Sequence, residues 1–247
     1  MKIIDTHTHL GASRTASIEL TEEIWLQTME RYGVDGIFSY PFPDPYPDSR
    51  TVHDRIHHFA ETNPGRVWGV VDINPRCDEA EYVEEATRCV KELGFVAIKL
   101  HPYLEATNPQ GKHAVKVYET ARKLNVPVIV HTGQGAPLAL PSMMIPIARR
   151  YPDLPIVLAH AGAFVYTDEA IIAAKECDNI YLEMSWCGAG QIKGAMNAVG
   201  VERLLFGSDG ELNVGPELAK VEALDLDDAT KERYLGGTAI ELYRLQV

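Results

Sequence analysis

Short apolar runs alternate with longer amphipathic stretches along the whole chain. The runs at residues 3–5, 36–39, 67–71, 95–100, 128–130, 156–159, 180–184 and 204–206 are rich in Val, Ile, Leu and Phe, as strands buried on both faces are. Helical patterns fill the gaps at 21–31, 50–61, 78–93, 112–124, 142–150, 168–176 and 191–199, with at least two more helices within 216–245. The punctuation agrees with the pattern. Thr21 opens one helix and Gly33 follows it, Asn63-Pro64-Gly65 closes the next, and Gly94, Asn125 and Gly200 stop three others. Eight strand–helix units in strict alternation predict a (β/α)8 barrel formed as a single domain by the whole chain, residues 1–247. A doubly wound open sheet is the alternative. It is disfavoured because His7 and His9, not a glycine-rich phosphate loop, follow the first strand.

Such a barrel gathers its chemistry at the C-terminal ends of the strands. His7 and His9 stand after the first strand, two residues apart, and so lean the same way. Lys99 and His101 end the fourth strand, His131 the fifth and His160 the sixth. The seventh carries Glu183 and Ser185, and Asp209 follows the eighth. Five of the nine histidines thus fall on one rim. Several imidazoles with one carboxylate are a donor set suited to zinc and similar divalent ions.

The order His-x-His, His131, His160, Asp209 resembles the amidohydrolase superfamily. The stretches Gly94-Phe95-Val96-Ala97-Ile98-Lys99-Leu100-His101-Pro102, Phe206-Gly207-Ser208-Asp209 and Leu235-Gly236-Gly237-Thr238-Ala239 resemble its amidohydrolase-related branch of metal-dependent hydrolases, lactonases and decarboxylases. The resemblance implies His7, His9, His131 and Asp209 as ligands of one divalent ion, zinc first, with manganese or iron as alternatives. It implies His160 and Asp209 as the acid–base pair. Such an ion brings the pKa of bound water from about 15.7 to about 7. The expected reaction is hydrolysis of a small-molecule amide, ester or lactone. A decarboxylase of a small carboxylic acid on the same site is the first rival, and a non-catalytic metal-binding barrel the second. Where the family often has Asn and a Pro, this chain has Thr238 and the run Gly210-Glu211-Leu212-Asn213, so the substrate pocket is expected to differ.

Lys99 shares the phase of the inward residues and has three readings: a carboxylated lysine bridging a second metal, a cation for a substrate carboxylate, or an ion pair with Glu183 or Asp72. The pairing readings rank first, because an inward lysine is costly without a partner. His101 either binds substrate or caps the turn before Pro102. Trp186 is expected at the pocket rim, and Phe42 or Tyr46 of the proline-rich loop as a pocket wall. Asp5 is expected one layer below the ligands, in support of them. His53 and His57, four apart on a helix, mimic a metal pair but are expected on a solvated outer face. Cys89 and Cys177 are expected in the core, and Cys187 is a weak candidate to face the site.

Composition narrows the partners. A net charge of −12 without a basic stripe excludes nucleic acid and anionic membranes as expected partners, leaving a small-molecule substrate. The four cysteines lack CxxC spacing and read as reduced thiols. No apolar run nears the ~18 residues of a membrane helix. With no signal peptide evident, a cytoplasmic protein is expected, and outer barrel helices of this kind leave pairing into a homo-oligomer open.

Overall fold

The computed structural model describes residues 1–13, 17–43 and 48–247. Its strands are β1 (Ile4–Ser13), β2 (Ile18–Leu20), β3 (Gly36–Pro41), β4 (Val67–Asp72), β5 (Ala97–Leu100), β6 (Val128–His131), β7 (Ile156–Ala159), β8 (Ile180–Glu183) and β9 (Leu204–Leu205). They lie in the order β2-β1-β3-β4-β5-β6-β7-β8-β9, every pair parallel except the β1–β2 hairpin. The ring closes where the chain past β9 meets β1. Thr6 N and Oγ1 both donate to Phe206 O, at 3.0 and 2.7 Å, and Asp209 N donates to His7 O at 2.8 Å. The eight parallel strands therefore form the expected (β/α)8 barrel, with β2 as a short unforeseen flap.

Two apolar layers hold it together. Inside the barrel, Ile4, Phe38, Val70, Ala97, Ile129, Val157 and Leu205 pack together, and Tyr243 and Leu245 from the C-terminal segment join them. Phe38 meets Tyr243 edge-on at 4.6 Å. Outside, the alternate strand residues Ile37, Val71, Ile98, Val130, Leu158 and Leu182 meet the helices. Space is tight: a Cβ on Gly69 would stand 2.3 Å from the Phe95 ring, so only glycine fits there.

The helix ends follow the sequence signals. Thr21 accepts from Ile24 N ahead of helix Glu22–Tyr32, and Gly33 ends it in the left-handed conformation at φ 68°. Asn125 does the same for Lys112–Leu124 at φ 58°. The expected helix at 142–150 is split into a 3-10 turn, Pro141–Met144, and a helix, Ile145–Arg150. Pro146 sits at the start of the second piece, where its missing N–H costs nothing. Along β1 the expected strand at 3–5 runs on to Ser13, so His7 and His9 lie within it rather than after it. A register shift between Asp5 and Thr8 marks a bulge.

Candidate metal centre

The rim of the barrel brings most of the expected residues together. His7 is fully buried and stacks on Tyr40 at 4.7 Å. Its Nδ1 faces Glu183 Oε2 at 3.0 Å, an acceptor, so Nδ1 carries the proton and Nε2 the lone pair. His9 is fixed the same way, with Nδ1 against the Pro41 carbonyl at 3.0 Å and the ring stacked on Phe42 at 4.8 Å. Both Nε2 atoms then point at Asp209 Oδ1, at 3.5 Å from His7 and 3.3 Å from His9. Lys99 Nζ also stands 3.2 Å from His7 Nε2, and two imidazole nitrogens beside one carboxylate oxygen are donors of the kind a divalent ion takes. This donor set fits a divalent ion.

His160 adjoins them, its ring 4.6 Å from that of His7. Possible ligand atoms of His7, His160 and Asp209 all lie within 4.8 Å of one another. His160 Nδ1 lies 2.7 Å from Ser185 Oγ, which in turn donates to Glu183 Oε2 at 3.0 Å. Because the serine proton goes to Glu183, His160 Nδ1 is the donor and its Nε2 is open towards the site. Glu183 also accepts from His160 N at 3.0 Å and from Ser185 N at 2.6 Å. His131, at the end of β6, stacks on His101 at 3.9 Å and meets His160 edge-on at 5.0 Å. Its Nε2 faces the Gln134 carbonyl at 2.9 Å, which leaves Nδ1 as the nitrogen with a free lone pair.

His160, Trp186 and Asp209 all have positive φ, 64°, 64° and 66°. Three non-glycine residues in this disfavoured region mark a rim where side-chain aim prevails over backbone comfort. The turn at Trp186 explains its reach. Met184 packs in the outer core, but Trp186 swings back to the rim, where its Nε1 donates to Asp209 Oδ2 at 2.8 Å and its N to Glu217 Oε1 at 2.9 Å.

The electrostatics suit the donor set. Burial holds His7, His101 and His160 well below the usual imidazole range and His131 down at about 4, so the rings are neutral and able to ligate. Burial works to raise the Asp209 carboxyl, but the surrounding His160, His9 and His7 more than reverse it and keep it ionised. The native His131 binds fewer protons than the unfolded chain between about 6.5 and about 4, so its contribution to stability is lost as pH falls through that window. Asp5, pushed up to about 7 by burial, acts in the opposite sense. The comparison of variants isolates the histidine: melting curves of metal-free protein are expected to fall less steeply on acidification in His131→Gln than in the parent.

Other expectations are adjusted. Lys99 is buried, but no carboxylate of the described residues pairs with it directly. Its Nζ lies 3.2 Å from His7 Nε2 and 5.3 Å from the centre of the Tyr40 ring. Glu183, offered as its ion-pair partner, is committed to His7, His160 and Ser185. His101 caps its turn, its Nδ1 accepting from Leu104 N at 3.4 Å. Asp5 supports the ligand strand through backbone, accepting from His7 N and from Ser208 N and Oγ. Phe42 does wall the site, while Tyr46 lies outside the described residues. Cys89 and Cys177 are buried and the cysteines free, and Cys187 reaches the backbone carbonyl of His160.

The solvated face expected for His53 is wrong. His53 is fully buried, because its helix, Ser49–Thr62, packs on β4 and faces helix Glu79–Lys91. Its Nδ1 faces Glu85 Oε1 at 2.9 Å and its Nε2 accepts from Asp72 N at 3.1 Å. Glu85 is clamped by Arg88. His57 turns instead to the Leu93 carbonyl, so the two rings do not converge on one ion. Tyr40 and Glu217 were missed. Tyr40 alternates with Phe38 on β3, and that inward phase is the signal that would have found it.

A closed barrel with imidazoles and a carboxylate converging on its C-terminal rim defines a metal-binding enzyme scaffold. The chain belongs to the amidohydrolase family, whose model matches residues 4–245. It is 24% identical over 238 residues to 2-amino-3-carboxymuconate-6-semialdehyde decarboxylase of Dictyostelium discoideum, covering 78% of this chain and 66% of that one, just under two thirds of its length. Among solved structures it resembles 2,6-dihydroxybenzoate decarboxylase complexed with 2,6-dihydroxybenzoate, at TM-score 0.80 and 16% identity over 99% and 100% of the two chains. It also resembles 5-carboxyvanillate decarboxylase of Novosphingobium aromaticivorans complexed with manganese and 4-hydroxy-3-methoxy-5-nitrobenzoic acid, at TM-score 0.79 and 16% identity over 99% and 96%. Among the described residues no helix is long and apolar enough to cross a membrane.

Proposed function

We propose that this protein is a metal-dependent decarboxylase of a small, planar carboxylic acid, with His7, His9, His131 and Asp209 as ligands of one divalent ion, manganese or zinc. The observation that carries the reading is the convergence of His7 Nε2 and His9 Nε2 on Asp209 Oδ1, beside a buried lysine that no carboxylate of the described residues pairs with. A held ion supplies Lewis-acid charge that draws electron density from the substrate. Lys99 offers a positive charge to the substrate carboxylate, and Phe42 and Trp186 bound the space with flat faces. The reaction converts R–COO⁻ and one proton into R–H and CO2. His160, neutral at rest with Nδ1–H on Ser185, takes that proton from solvent at its open Nε2 and passes it to the vacated carbon, the Ser185–Glu183 pair stabilising the imidazolium while it is present.

Hydrolysis uses the same ligands, so the experiment must separate the bonds broken. Metal-loaded protein is incubated in D2O with a panel of hydroxybenzoates and unsaturated carboxylic acids, and with a parallel panel of amides, esters and lactones. One CO2 per substrate consumed, and one deuterium at the vacated carbon, is the expected result. Turnover confined to the second panel, with no CO2, refutes the proposal.

A further inference from the structure

Behind Lys99 lies a second cluster that the metal centre does not use. Asp72 ends β4 and pairs in register with Lys99 of β5, so both side chains leave the sheet on the same face. Glu105, in the turn after β5, reaches back to Asp72, and the two carboxyls are within hydrogen-bonding contact. Asp72 is 2% exposed and Glu105 1%. Glu105 Oε2 accepts from His101 N at 2.9 Å. The remaining oxygens, Asp72 Oδ2 and Glu105 Oε1, have no donor among the described residues. Two orphaned acceptors in two carboxyls that touch each other are satisfied together by one proton between them.

We propose that Asp72 and Glu105 share a single proton at neutral pH and act as one monoanion, the counter-charge of Lys99. Two ionised carboxylates in contact, both almost wholly buried, repel strongly and leave both oxygens without a donor from the described residues. One shared proton removes the repulsion, fills both acceptors and leaves one negative charge for the one buried ammonium. Burial pushes both acids up, Asp72 to about 6 and Glu105 well above its usual range, with the neighbouring Asp72 charge adding to the second. The groups facing the pair agree with this balance. Lys99 favours the charge on Asp72, His53 Nε2 accepts from the Asp72 backbone N–H, and the Tyr82 and Tyr118 phenols near Glu105 are themselves held protonated by burial. Glu105 also lines a cavity of about 790 Å³ with Ile73, Asn74 and Leu104, from which water can exchange the proton. The inference requires no particular reaction at the metal, so it stands or falls separately from the decarboxylase reading.

Infrared difference spectra of the full chain test it. At neutral pH the parent is expected to show a protonated-carboxyl C=O band that shifts in D2O and is lost in both D72N and E105Q. A spectrum in which neither substitution removes such a band overturns the proposal. Melting provides a second test. Glu105→Gln places an N–H where the shared proton stood and is expected to melt near the parent, with Glu105→Ala well below. Equal losses in the two variants overturn it, as does a rise in parent melting temperature on adding potassium or calcium that Glu105→Gln abolishes, which would assign the gap to a cation.

Discussion

Asp209→Asn is expected to abolish stoichiometric binding of a divalent ion while leaving the barrel folded. Asp209 Oδ1 is the atom on which His7 and His9 converge, and Oδ2 is held by Trp186. An amide presents less negative charge at the same position and, in one of its two orientations, an N–H that hydrogen-bonds the imidazole lone pairs directly. Losing a direct ligand should exceed the ~10–100-fold cost of losing an outer partner. Competition with a fluorescent chelator measures the affinity, and circular dichroism checks the fold. His7→Ala should behave alike in binding. An Asp209→Asn protein that retains one ion per chain at parental affinity would sink the ligand assignment.

Glu183→Gln is the second large effect, although Glu183 touches no proposed substrate. Its two oxygens take four donors: His7 Nδ1, His160 N, Ser185 N and Ser185 Oγ. A glutamine has one such oxygen, and its NH2 must face at least one of these donors. The buried mismatch should cost about 1–3 kcal/mol of stability. It should also release the His7 tautomer, for a further ~10–100-fold loss of metal affinity. Denaturant titration and chelator competition on one preparation separate the two effects. Parental affinity and parental stability together would show that Glu183 does not hold the ligand ring.

The repeat of apolar strand and amphipathic helix was legible because each strand is buried on both faces and each helix on one, so that periodicity alone carries the barrel. The rim histidines were legible for the same reason: a strand end fixes the address of its side chain. What escaped was anything set by contact between distant segments. His53 sits among charged neighbours in sequence, yet its helix turns that ring onto the amide of Asp72, 19 residues on. The ring state of His131 depends on a carbonyl three residues further along a turn. The commitment of Glu183 to His7, 176 residues away, has no trace in either local pattern. The β1 flap was hidden because β2 is three residues long, shorter than periodicity can register.

The seam of the barrel has one more consequence. His7 and His9 lie on the first strand and Asp209 past the last, joined where Thr6 meets Phe206 and Asp209 meets the His7 carbonyl. A nascent or truncated chain lacking residues beyond β9 owns the histidines but not the pocket. With the proposed ligands, metal uptake during refolding would time the closing of the ring. An ion bound across this seam would act as its clasp, coupling a contact 200 residues apart in sequence to the completion of the proposed centre.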